Sequence, residues 1–196
     1  MNYLAHAYLS FNDPEILVGN LISDFVKGRK KFDYPPRIQN GIALHRAIDT
    51  FTDDHPVTKE AKKVFADVYR LYSGAFIDVV FDHFLAKDHS IFAGEDLMHF
   101  SVNAYNMLEM YEPILPEKFR VIFPYMKKFN WFYNYQFEKG IERSFEGLAR
   151  RAVYLDESEK AYQLFIENYQ RLGAAYQQFF PELQAFAKNE FNTISP

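Results

Sequence analysis

The 196-residue sequence predicts an all-α, single-domain helical bundle, and three observations carry that prediction. Apolar residues recur at helical spacing along nearly the whole chain, while alternation over the length of a strand is hard to find. The breaks are helix punctuation: Asp13-Pro14-Glu15, Pro35-Pro36, His55-Pro56 and Ser73-Gly74. Hydrophobic residues make up 48% and charged residues 24%, enough apolar material for one core and far from the composition of a disordered chain.

The elements follow in order. Asp13 is placed to cap a helix, with Pro14 in its first turn and Glu15 facing the positive end of its dipole, and this helix is expected to run through Phe25. Pro35 and Pro36 open the next, which should pass through His45 to about Asp53, with His55 and Pro56 at the corner. A further helix ends near Tyr72, where Ser73 and Gly74 separate it from AFIDVVFDHFLAKD. Beyond Gly94 come EDLMHFSVNAYNMLEMYE, then PEKFRVIFPYMKKF after Pro116, and a stretch around Phe145 to Ala152. The final segment, Asp156 to Phe191, predicts one long helix or two with a bend at Pro181, because proline loses an amide bond and clashes with the preceding turn. With 21 Phe and 14 Tyr against one Trp, much of the core must be ring packing.

Composition excludes several function classes. Cysteine is absent, which removes disulfides, thiolate metal sites and cysteine nucleophiles and fits a reducing cytoplasm. The apolar runs are interrupted by charges before the eighteen or so residues needed to span a bilayer, so no membrane segment is expected. The N-terminus lacks the charged start and cleavage site of a secretory signal. A net charge of −4 argues against a general nucleic-acid binder. No G-x-x-x-x-G-K-S/T, G-x-G-x-x-G, G-x-S-x-G or H-E-x-x-H motif occurs, and a di-iron bundle would need Glu-x-x-His spacings that are missing.

The informative residues are polar ones where the pattern wants apolar ones. The segment Ala75 to Ala86 is apolar around most of its circumference except at Asp78, Asp82 and His83. Asp78 and Asp82, four apart, share one face. Two carboxylates about 4 Å apart repel by about 4 kcal/mol at an effective dielectric of about 20, so a positive group is expected between them. In the preceding segment His45, Asp49 and Asp53 form one stripe at successive four-residue steps. Asn20 and Asp24 make another four-spaced pair inside an apolar run, and His6 offers a fourth contribution. A shared metal site explains all of these economically, although a buried ion-pair network would gather the same charges. Carboxylates and imidazoles without sulfur favour Mn²⁺, Mg²⁺ or iron and permit Zn²⁺. Such an ion suits phosphoryl chemistry.

A basic cluster, Lys27, Gly28, Arg29, Lys30 and Lys31 with Arg37 beyond it, directly follows Asp24. It reads either as a solvated turn offsetting a helix C-terminus or as the acceptor of an acidic partner or phosphorylated substrate.

These residues resemble the bacterial acyl carrier protein phosphodiesterases. The matching pieces are NYLAH at Asn2 to His6, GNLISDF at Gly19 to Phe25, LHRAIDTFTDDHP at Leu44 to Pro56, and DVVFDHFL at Asp78 to Leu85. They cover roughly the first 90 residues, and the chain departs from the family's pattern after Leu85, at AKDHSIF. The resemblance implies an all-helical fold distantly similar to HD-type metal phosphohydrolases, with the metal site built from residues 1–90. It implies Mn²⁺-dependent removal of 4'-phosphopantetheine from the serine of holo-acyl carrier protein, a small acidic partner suited to the basic cluster. By position, Asp24, His45, Asp49, Asp78 and Asp82 would hold the metal, with His83 and His6 as further candidates. One remaining carboxylate, such as Asp82, or His83 would take the proton. Arg46 or the lysine cluster would stabilise phosphate charge, and Lys27, Arg29, Lys30, Lys31, His6 and Asn20 would bind substrate. Two other readings fit: a phosphohydrolase of a small phosphoester or nucleotide, and a non-catalytic helical adaptor for an acidic protein.

Overall fold

The computed structural model describes residues 1–94, 96–151 and 158–194, and among these there is no strand. The all-α expectation holds. The helices are α1 (Tyr3–Tyr8), α2 (Pro14–Ile22), α3 (Pro36–Asp54), α4 (Pro56–Tyr69), α5 (Ser73–Ala86), α6 (Asp96–Met110), α7 (Glu117–Lys128), α8 (Trp131–Asn134), α9 (Glu138–Arg151), α10 (Ser158–Glu167) and α11 (Tyr169–Thr193). Short 3-10 turns cover Ser23–Phe25, Gly28–Asp33, Arg70–Tyr72 and Glu112–Ile114. None of the described helices is long and apolar enough to cross a membrane.

The punctuation acts as expected at the N-terminal side. The Asp13 carboxylate accepts hydrogen bonds from the amides of Glu15 and Ile16 at 3.1 and 2.9 Å, closing the start of α2. Its α-helical part ends at Ile22, and a 3-10 turn carries the chain to Phe25. His55 caps α4 by accepting from the Val57 amide at 3.3 Å. Ala152 and Asp156 lie outside the described residues, so the edges expected there are not covered. The C-terminal break falls at Asn168, whose side chain donates to the Leu164 carbonyl at 2.9 Å, and Pro181 lies inside the unbroken α11. Pro181 and Gln177, four residues before it, are both exposed, so the lost amide bond falls on the solvent face of the helix.

The core is built of rings. Phe76 is fully buried, 5.4 Å from Phe65, 4.2 Å from Tyr69 and 5.2 Å from Phe145 between centroids. Truncating such a residue costs about 3–5 kcal/mol.

One crossing positions the site. A Cβ on Gly19 of α2 would fall 2.1 Å from the Ile38 carbonyl oxygen, and one on Gly41 of α3 would fall 2.4 Å from that of Ile16. Only glycine allows the two backbones this close. The contact sets Asn20 and Asp24, on α2 and the turn after it, beside His45 and Asp49 on α3.

Candidate metal centre

Asn20 is fully buried in α2 and organises both imidazoles. Its side-chain oxygen accepts from His6 Nδ1 at 2.8 Å, and its main-chain carbonyl accepts from His45 Nδ1 at 2.6 Å. Its amide nitrogen donates to the His6 carbonyl at 2.9 Å and to Ser10 Oγ at 3.1 Å. Because both oxygens only accept, each ring carries its proton on Nδ1 and turns Nε2 toward a common space. The rings stack with centroids 4.0 Å apart at 16°.

Asp49 bridges them. Its Oδ1 is 3.1 Å from His6 Nε2 and its Oδ2 is 3.0 Å from His45 Nε2. Asp24 adds a carboxylate oxygen 3.3 Å from His45 Nε2. The ligand atoms of His6, His45 and Asp49 all lie within 4.8 Å of one another. Their side chains are anchored by outer hydrogen bonds, the usual support of metal-binding imidazoles.

The electrostatics are those of a site short of positive charge. Burial opposes the His45 imidazolium, but hydrogen bonds and charge from Asp24 and Asp49 outweigh it and raise the group to about 9. Burial, then the neighbouring His45, lowers His6 to about 4. Burial would raise Asp49, yet the hydrogen bond from His45 and the charge of the Met1 ammonium hold it well below the usual carboxylate range. Hydrogen bonding and charge from His45 lower Asp24, which is exposed at the cleft. Neutral His6 therefore points a lone pair at Asp49 Oδ1 and, at 3.2 Å, at the Met1 carbonyl oxygen. Three acceptors face one another there, an arrangement a cation relieves, and the donor set of two imidazoles and carboxylate oxygen fits a divalent metal.

The cluster forms part of a cleft of about 520 Å³ between Ser23–Gly28 and α3, lined also by Lys27, Arg46, Thr50 and Asp53. Arg46 donates to the Val26 carbonyl at 3.1 Å, fixing its guanidinium at the cleft wall. Lys27, Arg29 and Lys30 are exposed and Lys31 is half-buried. Lys30 faces a neighbouring groove with Phe25 and Ile114.

The remaining expected site residues are not brought to this cluster. Both oxygens of fully buried Asp82 accept main-chain amides at the start of α1, Leu4 at 2.7 Å and Ala5 at 3.1 Å. Burial pushes Asp82 up to about 7 against those amides. His83, the next residue on α5, points elsewhere: Nδ1 donates to the Tyr135 carbonyl at 2.7 Å and Nε2 meets the Tyr169 hydroxyl at 3.1 Å. Asp78 lies between, 3.0 Å from the Met1 ammonium, which is also 3.4 Å from Asp49. That ammonium is the cation the Asp78 spacing called for, and nothing in residue patterning reveals it. Asn20, grouped with the substrate-binding residues from sequence, is fully buried, and its side chain is engaged by His6 and Ser10.

No solved structure matches the chain. A family model described as acyl carrier protein phosphodiesterase matches residues 1–183. The chain is 34% identical to a protein of that name from Enterobacter sp. (strain 638), over 97% of this chain and 99% of the relative. It is 31% identical to the one from Yersinia pestis, over 97% and 99%, and 30% identical to the one from Photorhabdus laumondii, over 97% and 96%. With that span and identity, the chain belongs to the acyl carrier protein phosphodiesterase family.

Proposed function

We propose that this protein removes 4'-phosphopantetheine from holo-acyl carrier protein in the cytoplasm, and that His6, His45 and Asp49, joined by Asp24, hold a divalent metal of the Mn²⁺ class. The observation that carries the reading is the convergence of two Nδ1-anchored imidazoles on one carboxylate, in the wall of a cleft that also presents Lys27 and Arg46. The absence of cysteine suits the reducing compartment.

Bound there, the metal would polarise a phosphate oxygen and supply hydroxide at neutral pH. With a metal bound, His45 would be neutral, its Nε2 proton released to solvent, and Nε2 would be free to serve as a ligand. Asp49 and Asp24 remain ionised. Arg46, braced on the Val26 carbonyl, and Lys27 offset the charge that grows on the phosphate oxygens. The hydroxide oxygen would form the new bond to phosphorus as the bond from phosphorus to the serine oxygen breaks, the serine oxygen would take its proton from solvent water, and the phosphate stays on the arm.

Incubation of the purified protein with holo carrier protein and Mn²⁺, followed by mass spectrometry, tests this. The expected result is apo carrier protein and free 4'-phosphopantetheine, with loss of turnover under a chelator and in Asp49→Asn. Intact holo carrier protein beside rapid hydrolysis of a small phosphoester would overturn the reading.

A further inference from the structure

The two walls of the metal-centre cleft continue into surfaces of opposite character. The Ser23–Gly28 wall runs on into the basic turn, where Lys27, Arg29 and Lys30 form no ion pair among the described residues. The α3 wall shares Arg46 and Thr50 with a second hollow of about 610 Å³ between α3 and the far part of α11. Phe51 and Phe186, both half-buried, form its apolar surface with rings stacked at 4.5 Å and 17°, and Ala47 lies beside them. Its edge is acidic: Asp54, paired with Lys59 at 3.3 Å, and Glu190.

A phosphodiester carries two substituents that leave phosphorus in different directions. An acidic carrier protein complements the basic turn, whereas the hollow's edge, with Glu190 and the Lys59-paired Asp54, offers it no such attraction. Beyond its phosphate the arm is uncharged, with a gem-dimethyl group, two amides and a thiol, and the acidic edge does not oppose it. The hollow is an open surface depression of about 610 Å³, along which an extended, uncharged chain can lie, and it begins where the phosphate cleft ends.

We propose that the hollow formed by Ala47, Phe51 and Phe186 is the subsite for the pantetheine arm, with the carrier protein on the opposite, basic flank. The proposal rests on the functional reading above, and it assigns the two halves of the substrate to the two walls. Remote contacts to the arm then help hold the phosphate at the metal centre.

The test uses pantetheine, which lacks the phosphate, with ligand-observed NMR for binding and holo carrier protein for turnover. Wild-type protein is expected to bind pantetheine and to be inhibited by it. Ala47→Trp fills the hollow from α3 and should weaken pantetheine binding and lower kcat/KM for holo carrier protein, each by about tenfold or more. The loss on holo carrier protein should exceed that on bis(4-nitrophenyl) phosphate, a small diester without an arm. Phe186→Ser, which opens the hollow instead of filling it, should act in the same direction with a folded helical spectrum. Ile114→Trp fills the groove on the basic flank and should leave pantetheine affinity as in the wild type. Pantetheine binding lost in Ile114→Trp and kept in Ala47→Trp, or no binding to wild type, would overturn the proposal. If wild type binds pantetheine in an Ala47-dependent way yet leaves holo carrier protein intact, the functional reading falls and the subsite stands.

Discussion

Leu4 and Asp82, 78 positions apart in the chain, are joined by a hydrogen bond of 2.7 Å from the amide of one to the carboxylate of the other. α1 has no capping side chain of its own, and Asp82 supplies both acceptors for its early amides. Since α1 carries His6, this cap also holds one arm of the candidate metal centre.

Asp82→Ala should therefore act through folding. Leaving buried amides without acceptors costs about 2–3 kcal/mol, equivalent to a Tm lower by about 5–10 °C in a chain of this size. Asp82→Asn keeps an acceptor and should recover part of the loss. Calorimetry alongside the holo carrier protein assay separates the roles: activity and Tm fall together if Asp82 is a cap, whereas lost activity at an unchanged Tm would place it in the chemistry.

A second prediction concerns Asn20. Its side chain fixes the tautomer of His6, while its main chain fixes His45, so Asn20→Ala releases one imidazole and leaves the other anchored. Outer partners of this kind are worth about 10–100-fold in metal affinity. Titration of the metal-free variant with Mn²⁺ should show a weakening of that order, together with destabilisation of about 1–3 kcal/mol from the unsatisfied His6 groups. Unchanged Mn²⁺ affinity would remove His6 from the ligand set.

Parts of this site are legible in the sequence for a physical reason. His45 and Asp49 are four apart on one helix, so their shared face follows from helix geometry alone. The polar residues inside the apolar α5 segment likewise had to find partners, because buried charge is costly unless compensated. Which partner is not encoded locally. A carboxylate is satisfied equally by a metal, by an ammonium or by two main-chain amides. Asp49 meets imidazoles, Asp78 meets the Met1 amino group and Asp82 meets α1, though all three look alike in the pattern. Asp82 and His83 are adjacent, so they leave α5 about 100° apart and serve different neighbours. The long C-terminal segment breaks at Asn168 and not at Pro181, which lies on the exposed side of α11, where a proline in a helix costs least.

The acid limb of stability should report His83. Burial pushes its imidazole down to about 4 in the folded protein, whereas the unfolded chain titrates near 6.5. Between those values the unfolded state binds a proton that the folded state refuses. His83 therefore contributes its full stability above about pH 6.5 and loses it as pH falls toward 4, a change of about 3 kcal/mol. His83→Gln cannot titrate, and urea unfolding at several pH values should show a shallower decline for it. A residual slope of the same sign remains from His6, which burial also lowers to about 4. Equal slopes in variant and wild type would show that His83 titrates as an exposed imidazole.

The basic turn should govern encounter with the carrier protein. Lys27, Arg29 and Lys30 are exposed and make no ion pair among the described residues, so their charge is available to an acidic partner. The pair Arg29→Glu and Lys30→Glu replaces attraction with repulsion on the flank assigned to that partner. Surface charge of this kind acts mainly on association, so KM for holo carrier protein is expected to rise about five- to tenfold with a smaller change in kcat. Raising ionic strength from about 0.05 to about 0.3 M shortens the screening length from roughly 14 to roughly 6 Å and should weaken the wild type toward the variant. Hydrolysis of bis(4-nitrophenyl) phosphate, which offers no acidic surface, should show little of this salt dependence. Equal KM values at low salt would mean that the carrier protein approaches from another side, and the assignment of the two cleft walls would have to be exchanged.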